Sequence, residues 1–568
     1  MKGPAAPKDP EKKKPYFYII REKEIYGAKL DEEKGIHFIY ENDGRLISSA
    51  QITGNISDSN ILELLKTTQG FRTLVHSIGV SVETEDSSSK VDFIFQMYGN
   101  KDIYGGGTNL KLSLNGDGME EKINLCEIDW SEDDKEPGQI RFEFDTPEIL
   151  GRASVRLYLN DGYSVPDVSE ENEVDVSLET YHTMIARSLM QLGNPKRLEG
   201  AIKRAKEGKD VTLAYIGGSI TQGAGGTPIN TGCYAYKSYK SFADRYGNGN
   251  NVHFIKAGVG GTPSELGMLR FDRDVLRDGN YPDVVVIEFG VNDEGDETKG
   301  NCYESLVKKV LMLPNEPAVI LLFAVFANDW NLQKRLSPVG QLYELPMVSI
   351  LDAVSPQFPL TKETGRVISK NQFFYDMFHP TNAGHTIMAD CITYLLEQTE
   401  REKEWIDRTP KLLLKKPAIG DDFVSVKLLD KKNHNPAANI RCGGFTETDT
   451  ELQRVEMDED LFGTPQFPYN WMYDGTKAFG DSTFELTITC RALLLIYKDS
   501  GANDVGKADV FLDGRKVLTA NPRIVGWVHC NPVIVCNDKH SKEHILQIKM
   551  AQGDENKKFT ILGFGYVN

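Results

Sequence analysis

The chain has 568 residues, of which 40% are hydrophobic and 26% are charged, and it carries a formal net charge of −18 at pH 7. A chain of this length exceeds a single hydrophobic core, so we expect roughly two to four domains of ordinary soluble composition. The acidic balance disfavours nucleic acid and anionic membranes as partners and remains compatible with a neutral substrate.

The first segment, residues 1–15, is rich in lysine and proline and has no apolar centre, so we expect a solvated tail and no secretory signal. No later run reaches the roughly 18 consecutive apolar residues of a membrane span. The 8 cysteines show neither paired nor metal-ligand spacing, and the histidines offer no ligand spacing either. The sequence therefore predicts a cytoplasmic protein that needs no cofactor, metal ion or membrane, and it carries no signal for an oligomeric state.

Two regions of the sequence have the residue pattern of β-structure. In residues 16–180, short alternating strand-like runs are separated by turn residues, and the same pattern returns in residues 419–568, where Asp513-Gly514 is typical of a hairpin turn. Strands at this spacing are typical of antiparallel sandwiches. We therefore predict an N-terminal and a C-terminal β-sandwich domain.

The region between them, residues 181–410, has a different rhythm. Five apolar runs alternate there with segments of helical length, and a last helix is expected from Ala383. Alternation of this kind predicts an α/β domain with a parallel sheet that helices cover on both faces. The five runs are Val211–Ile216, Val252–Ile255, Val284–Phe289, Ala318–Phe326 and Pro346–Ile350.

Small and polar residues follow three of these strands and precede the last helix. Ser219 comes directly after the first strand, in a glycine-rich turn that lifts its hydroxyl from the sheet edge. Gly261 follows the second strand and Asn292 the third, while Asp376 and His379 stand before the last helix. The carboxyl ends of parallel strands meet at one edge, where open α/β sheets bind ligands. The sequence therefore predicts one site at that edge.

These residue types fit acyl transfer. The hydroxyl of Ser219 becomes a nucleophile when His379 takes its proton, and Asp376, three residues earlier, can hold the other ring nitrogen. The N–H groups of Ser219 and Gly261 and the amide of Asn292 would then stabilise an oxyanion. Each signal alone also fits a turn or a cap; their combination in this order favours catalysis.

The four blocks resemble those of the SGNH (GDSL-type) hydrolase family. The resemblance implies a flavodoxin-like, five-stranded parallel sheet, Ser219 as nucleophile, Gly261 and Asn292 as oxyanion donors, and Asp376 with His379 as the rest of the triad. The donor glycine is open between Gly258, Gly260 and Gly261, and alignment with the family favours the last. The matching blocks are Gly217–Thr221, Gly258–Gly261, Gly290–Asp293 and Asp376–Pro380.

Two residues depart from the family pattern. Gly218 stands before the nucleophile where many members have Asp, and Lys256 stands where an Asn often precedes the second block. Neither position lies on the expected proton path from Ser219 to His379.

Flanking β-sandwiches of this kind resemble those that accompany carbohydrate esterases. The resemblance implies hydrolysis of O-acetyl esters on xylan-derived oligosaccharides through an acyl-enzyme on Ser219. A thioesterase or lysophospholipase is the nearest alternative, and a catalytically silent glycan-binding protein is the second. Trp330, Tyr469 and Trp471 are candidates for stacking on sugar rings, although each also fits packing between domains.

Overall fold

The computed structural model describes residues 14–29, 34–40, 45–101, 105–166, 173–277, 279–401, 405–477 and 482–568. Most of the predicted N-terminal tail lies outside these residues. The chain divides into two compact units, which are described separately below. One unit comprises residues 1–172 together with 375–377, and the other comprises residues 173–374 and 378–568.

The described part of the first unit contains nine strands and three helices. They are β1 (Tyr16–Tyr26), β2 (Ala28–Lys29), β3 (Gly35–Tyr40), α1 (Arg45–Ile52), α2 (Ser59–Leu64), α3 (Thr68–Leu74), β4 (Val75–Thr84), β5 (Lys90–Gly99), β6 (Asn109–Asn115), β7 (Glu121–Asn124), β8 (Asp134–Phe144) and β9 (Leu150–Leu159).

The strands of this unit form two antiparallel sheets, in the orders β1-β9-β4-β7 and β2-β3-β8-β5-β6. Their buried faces share one hydrophobic core, to which Val155 contributes from the first sheet and Phe142 from the second. The three helices were not predicted. The side chains of Asp58 and Thr67 cap α2 and α3, and Phe71 reaches the same core, so local capping and burial stabilise helices within a strand-rich region.

The second unit begins with alternating helices and strands. They are α4 (Glu179–Ala186), β10 (Leu189–Gln191), α5 (Lys196–Lys206), β11 (Val211–Gly217), α6 (Ser219–Gln222), α7 (Tyr234–Tyr246), β12 (Val252–Gly258), α8 (Ser264–Phe271), β13 (Val284–Glu288), α9 (Asn301–Leu311), β14 (Ala318–Phe323), α10 (Gln333–Leu342), β15 (Met347–Ser349), α11 (Ile350–Val354), α12 (Lys370–Phe373), α13 (Asn382–Arg401) and α14 (Thr409–Leu412).

These strands form a sheet in the order β10-β15-β14-β13-β11-β12. Five of them run parallel, and the short β10 adds a sixth, antiparallel strand at the edge beside β15. The sheet therefore has six described strands where the sequence predicted five, because a strand of only three residues is too short to leave a periodic signal. Gly217 pairs with Gly258 and with Glu288, so β11, β12 and β13 end at the same level.

The last part of the chain is β-rich. Its strands are β16 (Lys427–Leu429), β17 (Asn439–Arg441), β18 (Arg454–Val455), β19 (Thr464–Pro465), β20 (Trp471–Asp474), β21 (Phe484–Asp499), β22 (Ala508–Leu512), β23 (Arg515–Ala520), β24 (His529–Met550) and β25 (Lys558–Val567).

Eight of these strands join one antiparallel sheet around the long β21 and β24, while β18 and β19 pair with each other. The strand β21 is long and continuous, because an irregularity between Cys490 and Ala492 shifts its register without ending its pairing with β24. Leu493 faces the core of this sheet, whereas Leu494 packs into the core of the α/β domain. Burial on both faces explains the continuous apolar run.

Among the helices that the structure describes, none has the length and apolar character needed to cross a membrane.

Trp471 does not have the exposure expected of a sugar-stacking residue. Its side chain is 4% exposed and packs between Phe484 and Phe564, with ring centroids 5.4 and 6.0 Å away. A ring enclosed in the core of the C-terminal sheet offers no face to a ligand, so the prediction that Trp471 stacks on sugar is wrong. Tyr469, two residues earlier, is 44% exposed.

We expect Trp471→Ala to lower the free energy of unfolding by about 3–5 kcal/mol, because it leaves a large cavity in this core. Chemical denaturation with tryptophan-independent detection measures the loss. Tyr469→Ala is the control, and we expect it to change stability by less than about 0.5 kcal/mol because the side chain is exposed. Equal losses for the two variants would contradict the placement of Trp471.

Candidate active site

Ser219 and His379 meet at the carboxyl end of the parallel sheet. Ser219 is the first residue of α6, directly after β11, and its Oγ lies 2.8 Å from the Nε2 of His379. His379 is 5% exposed, so the imidazole is largely shielded from water. A hydroxyl that donates to a buried imidazole has the geometry of a serine nucleophile with its general base.

His385 supports the loop that follows the nucleophile helix. It is fully buried, and its Nδ1 accepts the N–H of Tyr234 at 3.2 Å while its Nε2 donates to the carbonyl of Ala224 at 3.1 Å. The ring also stacks on Tyr234. Both ring nitrogens are thus engaged in structure, which leaves His379 as the histidine that contacts the serine.

Asp376 stands three residues before His379 and belongs to the first compact unit. Its side chain has no exposed surface, and its Oδ2 lies 3.9 Å from the Nε of Arg45. Its role as the partner of His379 stays a proposal from the sequence.

The second glycine block passes beside Ser219, since a Cβ atom at Gly260 would lie 3.6 Å from the Cβ of Ser219. The N–H of Gly260 donates to Oε1 of Gln222 at 2.9 Å, and Gly258 pairs with Gly217 inside the sheet. Because Gly260 already donates its N–H and Gly258 is paired within the sheet, Gly261 is the favoured candidate for the oxyanion donor among the three glycines.

Asn292 lies against the residue that departs from the family pattern. A Cβ atom at Gly218 would lie 2.2 Å from Oδ1 and 2.6 Å from Nδ2 of Asn292. No side chain fits at such distances, so this chain cannot carry the common Asp before the nucleophile while Asn292 keeps its position. Glycine at 218 and the amide at 292 are therefore coupled.

A buried carboxyl group lies beneath the nucleophile turn. Glu288, at the end of β13, accepts a hydrogen bond from Oγ1 of Thr221 at 3.0 Å, and Thr221 also contacts the hydroxyl of Tyr234 at 2.8 Å. Burial raises the pKa of Glu288 to about 8, although hydrogen bonds from Thr221 and from the backbone of Gly218 oppose the rise. The turn that carries Ser219 therefore packs against the Glu288 carboxyl group, whose raised pKa favours the protonated form.

A second buried carboxyl group joins the loops that carry Gly261 and Asn292. Asp293, next to Asn292, accepts both the N–H and the hydroxyl of Ser264 at 2.7 Å each. Ser264 begins the helix that follows Gly261. Burial raises the pKa of Asp293 to about 7, and these two hydrogen bonds limit the rise. The pair fixes the spacing between the loops that carry Gly261 and Asn292.

Lys256, the other departure from the family pattern, is fully buried near the end of β12. Its ammonium group donates to the carbonyl of Gln222 at 2.7 Å, at the end of the nucleophile helix. Burial lowers the pKa of Lys256, while Glu456 and Asp458 oppose the fall. The residue holds the nucleophile helix in place and does not contact Ser219 in the described interactions.

The β-rich C-terminal region supplies contacts to the loop of Gly260 and Gly261 that sequence reasoning missed. Nε2 of Gln453 donates to the carbonyl of Gly260 at 2.8 Å, and Nε2 of His529 lies 3.0 Å from the carbonyl of Gly261. Burial lowers the pKa of His529 to about 4, so the ring is neutral and its Nε2–H donates. These residues are separated from the loop by nearly two hundred positions or more, so no local pattern in the sequence could reveal them.

Trp527 lies in the same region. A Cβ atom at Gly261 would lie 3.0 Å from the Trp527 ring and 3.1 Å from His529, and the Trp527 ring itself is partly exposed. Gly261 also has φ of 71°, a conformation that favours glycine. A glycine is therefore needed here both for its backbone conformation and because a side chain would contact Trp527 and His529 too closely.

One cluster has the composition of a metal site. Ligand atoms of Glu265, Asp296 and Cys302, all buried, lie within 4.8 Å of one another. Both carboxylate oxygens of Asp296 already accept hydrogen bonds, from Thr298 and Gly300. Burial and the neighbouring acids raise the pKa of Glu265 to about 9, which favours a neutral carboxylic acid beside the Asp296 carboxylate. A shared proton accounts for this arrangement.

The remaining aromatic candidates lie in different places. Trp330 stacks on Phe326 at 5.7 Å, Phe326 contacts Phe378 at 5.1 Å, and Phe378 adjoins His379 at 6.2 Å, so Trp330 is connected to His379 through two rings. Tyr469 lines a separate cavity of about 710 Å³ whose lining contains none of the site residues.

Comparison with known proteins identifies the domain that carries this site. Residues 215–387 match the GDSL-like lipase/acylhydrolase family. These residues form a GDSL-like hydrolase domain. The family resemblance predicted from the four sequence blocks is confirmed, and the matched segment contains Ser219, Gly261, Asn292 and His379.

The structure is also similar to that of a two-domain esterase (CEX) active on acetylated mannans, solved alone and with mannopentaose. The TM-scores are 0.56 and 0.55 with 26% identity, over 68% of this chain and 99% or 98% of the esterase chain. No curated protein matches this sequence.

We expect Gly261→Ala to lower kcat by about 10²-fold, because the new methyl group would displace the loop that offers its N–H to the oxyanion. Gly514→Ala is the matched control. Gly514 also has a positive φ, of 78°, but nothing lies within 4 Å of its added Cβ. Both variants carry the same kind of backbone strain, so a larger loss of kcat in Gly261→Ala, measured by steady-state kinetics on an ester substrate, would come from displacement of the loop. Equal losses of kcat in the two variants would contradict the proposed role of Gly261.

The carboxyl group of Glu288 makes stability depend on pH. It titrates near 4.5 when exposed and near 8 in the fold, so between these values the folded protein holds more protons and the free energy of unfolding falls as pH rises. We expect the melting temperature to fall less steeply from pH 5 to pH 8 in Glu288→Gln than in the wild type. Glu121→Gln, on an exposed strand position, should leave the wild-type slope. Parallel curves for all three proteins would refute this account of Glu288.

Proposed function

We propose that this protein is a serine esterase that removes O-acetyl groups from carbohydrate through an acyl-enzyme on Ser219. The observation that carries the proposal is the 2.8 Å contact between the Ser219 hydroxyl and the His379 imidazole, at the carboxyl edge of a sheet in a GDSL-like domain.

In the proposed reaction, His379 takes the proton of Ser219 as the oxygen attacks the acetyl carbonyl. The resulting oxyanion accepts hydrogen bonds from the N–H groups of Ser219 and Gly261 and from the amide of Asn292. His379 then gives its proton to the departing sugar hydroxyl, which leaves acetyl-Ser219. Water, activated by the same imidazole, releases acetate and restores the hydroxyl. Asp376 is proposed to orient and stabilise the imidazolium.

The substrate class rests on the structural likeness. The two-domain esterase that this chain resembles is active on acetylated mannans, which favours an acetylated oligosaccharide here also. We infer that mannan-derived and xylan-derived fragments are both candidates. Trp527, beside Gly261, and Trp330, connected to His379 through Phe326 and Phe378, supply partly exposed rings of the type that stacks on sugars.

An apolar ester is the second candidate. Ile524 and Val525 precede Trp527 and are 67% and 38% exposed. Two exposed aliphatic side chains next to the ring that contacts Gly261 would also suit a longer acyl chain, as in a lysophospholipase or thioesterase. The preferred acyl length therefore separates the two candidates.

We expect the wild type to release acetate from acetylated manno- or xylo-oligosaccharides, and Ser219→Ala to lose at least about 10³-fold in kcat because the nucleophile is gone. Acetate is measured enzymatically, with matched p-nitrophenyl acetate and octanoate assays. Ser88→Ala, an exposed serine in the first unit, should retain wild-type activity. Acetate release that survives Ser219→Ala would refute the esterase, and faster octanoate cleavage with inert oligosaccharides would support the apolar alternative.

A further inference from the structure

The segment that carries Asp376 packs as part of the N-terminal unit. Tyr375 lies in the hydrophobic core of that unit and donates its hydroxyl to the carbonyl of Ile39 at 2.6 Å. On the other side, the N–H of Met377 donates to Oγ of Ser48, in α1, also at 2.6 Å. The residues before and after Asp376 are therefore both held, and the carboxylate between them has little freedom to turn.

Positive charges of the same unit lie near this carboxylate. Nε of Arg45, the first residue of α1, lies 3.9 Å from Oδ2 of Asp376. Lys23, in β1, places its ammonium group 4.2 Å above the ring of Tyr375. Burial lowers the pKa of Lys23 to about 8, and Asp376 and Glu24 oppose this fall, so the lysine remains largely cationic at neutral pH.

His37, which lies near Lys23, contributes no charge to this region. Burial and the nearby Lys23 lower the pKa of His37 to about 3, and its Nδ1 accepts the N–H of Tyr26 at 3.0 Å. Among the described residues, Arg45 and Lys23 thus both place positive charge near a carboxylate with no exposed surface. A carboxylate without access to water is costly unless cations and hydrogen bonds compensate it.

We propose that the N-terminal unit is a positioning element for catalysis, in which Arg45 and Lys23 keep Asp376 ionised and Ile39 and Ser48 fix the backbone beside it. The inference rests on the proposed function, because it gives Asp376 the task of orienting His379. It assigns a catalytic purpose to a domain that contains neither the nucleophile nor the base.

A double-mutant cycle in the full-length chain tests this. We expect Arg45→Met to lower kcat on an acetylated substrate about tenfold with KM nearly unchanged, since it acts through the triad and not through the sugar. Asp376→Asn should lower kcat far more, by roughly 10³–10⁴-fold. In the Asp376→Asn background, Arg45→Met should cost less than about twofold, because the carboxylate through which Arg45 acts is gone. Arg45→Lys should restore part of the activity.

Lys111→Met is the matched control, because it removes a cation of the same unit whose partner is Asp92 and not Asp376. We expect this variant to keep wild-type kcat. Melting temperatures show whether each variant folds. If Arg45→Met costs the same factor with and without the Asp376 carboxylate, or if it has no effect on kcat, the positioning role is wrong. Because wild type and Ser219→Ala are assayed together, absence of turnover in the wild type refutes the esterase itself, a result distinct from either of these.

Discussion

The candidate active site depends on the close approach of the Gly218 backbone, just after β11, to the side chain of Asn292. Gly218 leaves no room for a side chain because the amide of Asn292 occupies that space, and the same approach brings the third block against the nucleophile turn. The register that ends β11, β12 and β13 at one level makes this contact possible. The other contacts at the site stabilise this close approach of Gly218 and Asn292.

Buried ionisable groups form several of the hydrogen bonds that stabilise the position of the nucleophile turn and its neighbouring loops. Glu288 lies under the nucleophile turn, Asp293 ties the two oxyanion loops together, and Lys256 holds the end of the nucleophile helix. Burial disfavours the charged form of each group, and their hydrogen bonds only partly compensate. Such groups reduce stability compared with apolar packing, so their presence around Ser219 indicates that geometry is maintained here at a cost in folding free energy.

The sequence predicts the parallel sheet and the pairing of Ser219 with His379 well, because periodicity and glycine-rich turns are local signals. It does not predict the contacts that depend on how distant elements pack. Gln453 and His529 reach the loop of Gly260 and Gly261 from the C-terminal β-rich region, and α2 and α3 depend on caps within a β-rich region. For Trp471 the sequence predicted a sugar contact that the structure does not allow, because the ring is buried. An aromatic-rich stretch fits a binding surface and a core equally well until its burial is known.

The two β-rich parts of the chain act on different parts of the proposed machinery. Gln453 and His529 of the C-terminal β-rich region contact the carbonyls of Gly260 and Gly261, where the proposed oxyanion would be stabilised. The N-terminal unit instead holds the residues on both sides of Asp376, where the imidazolium would be stabilised. In the proposed mechanism, the two β-rich parts therefore support the groups that stabilise transition-state charges of opposite sign. Because preorganised groups stabilise charge only while they stay in position, loosening either domain should reduce catalysis before the α/β domain itself unfolds.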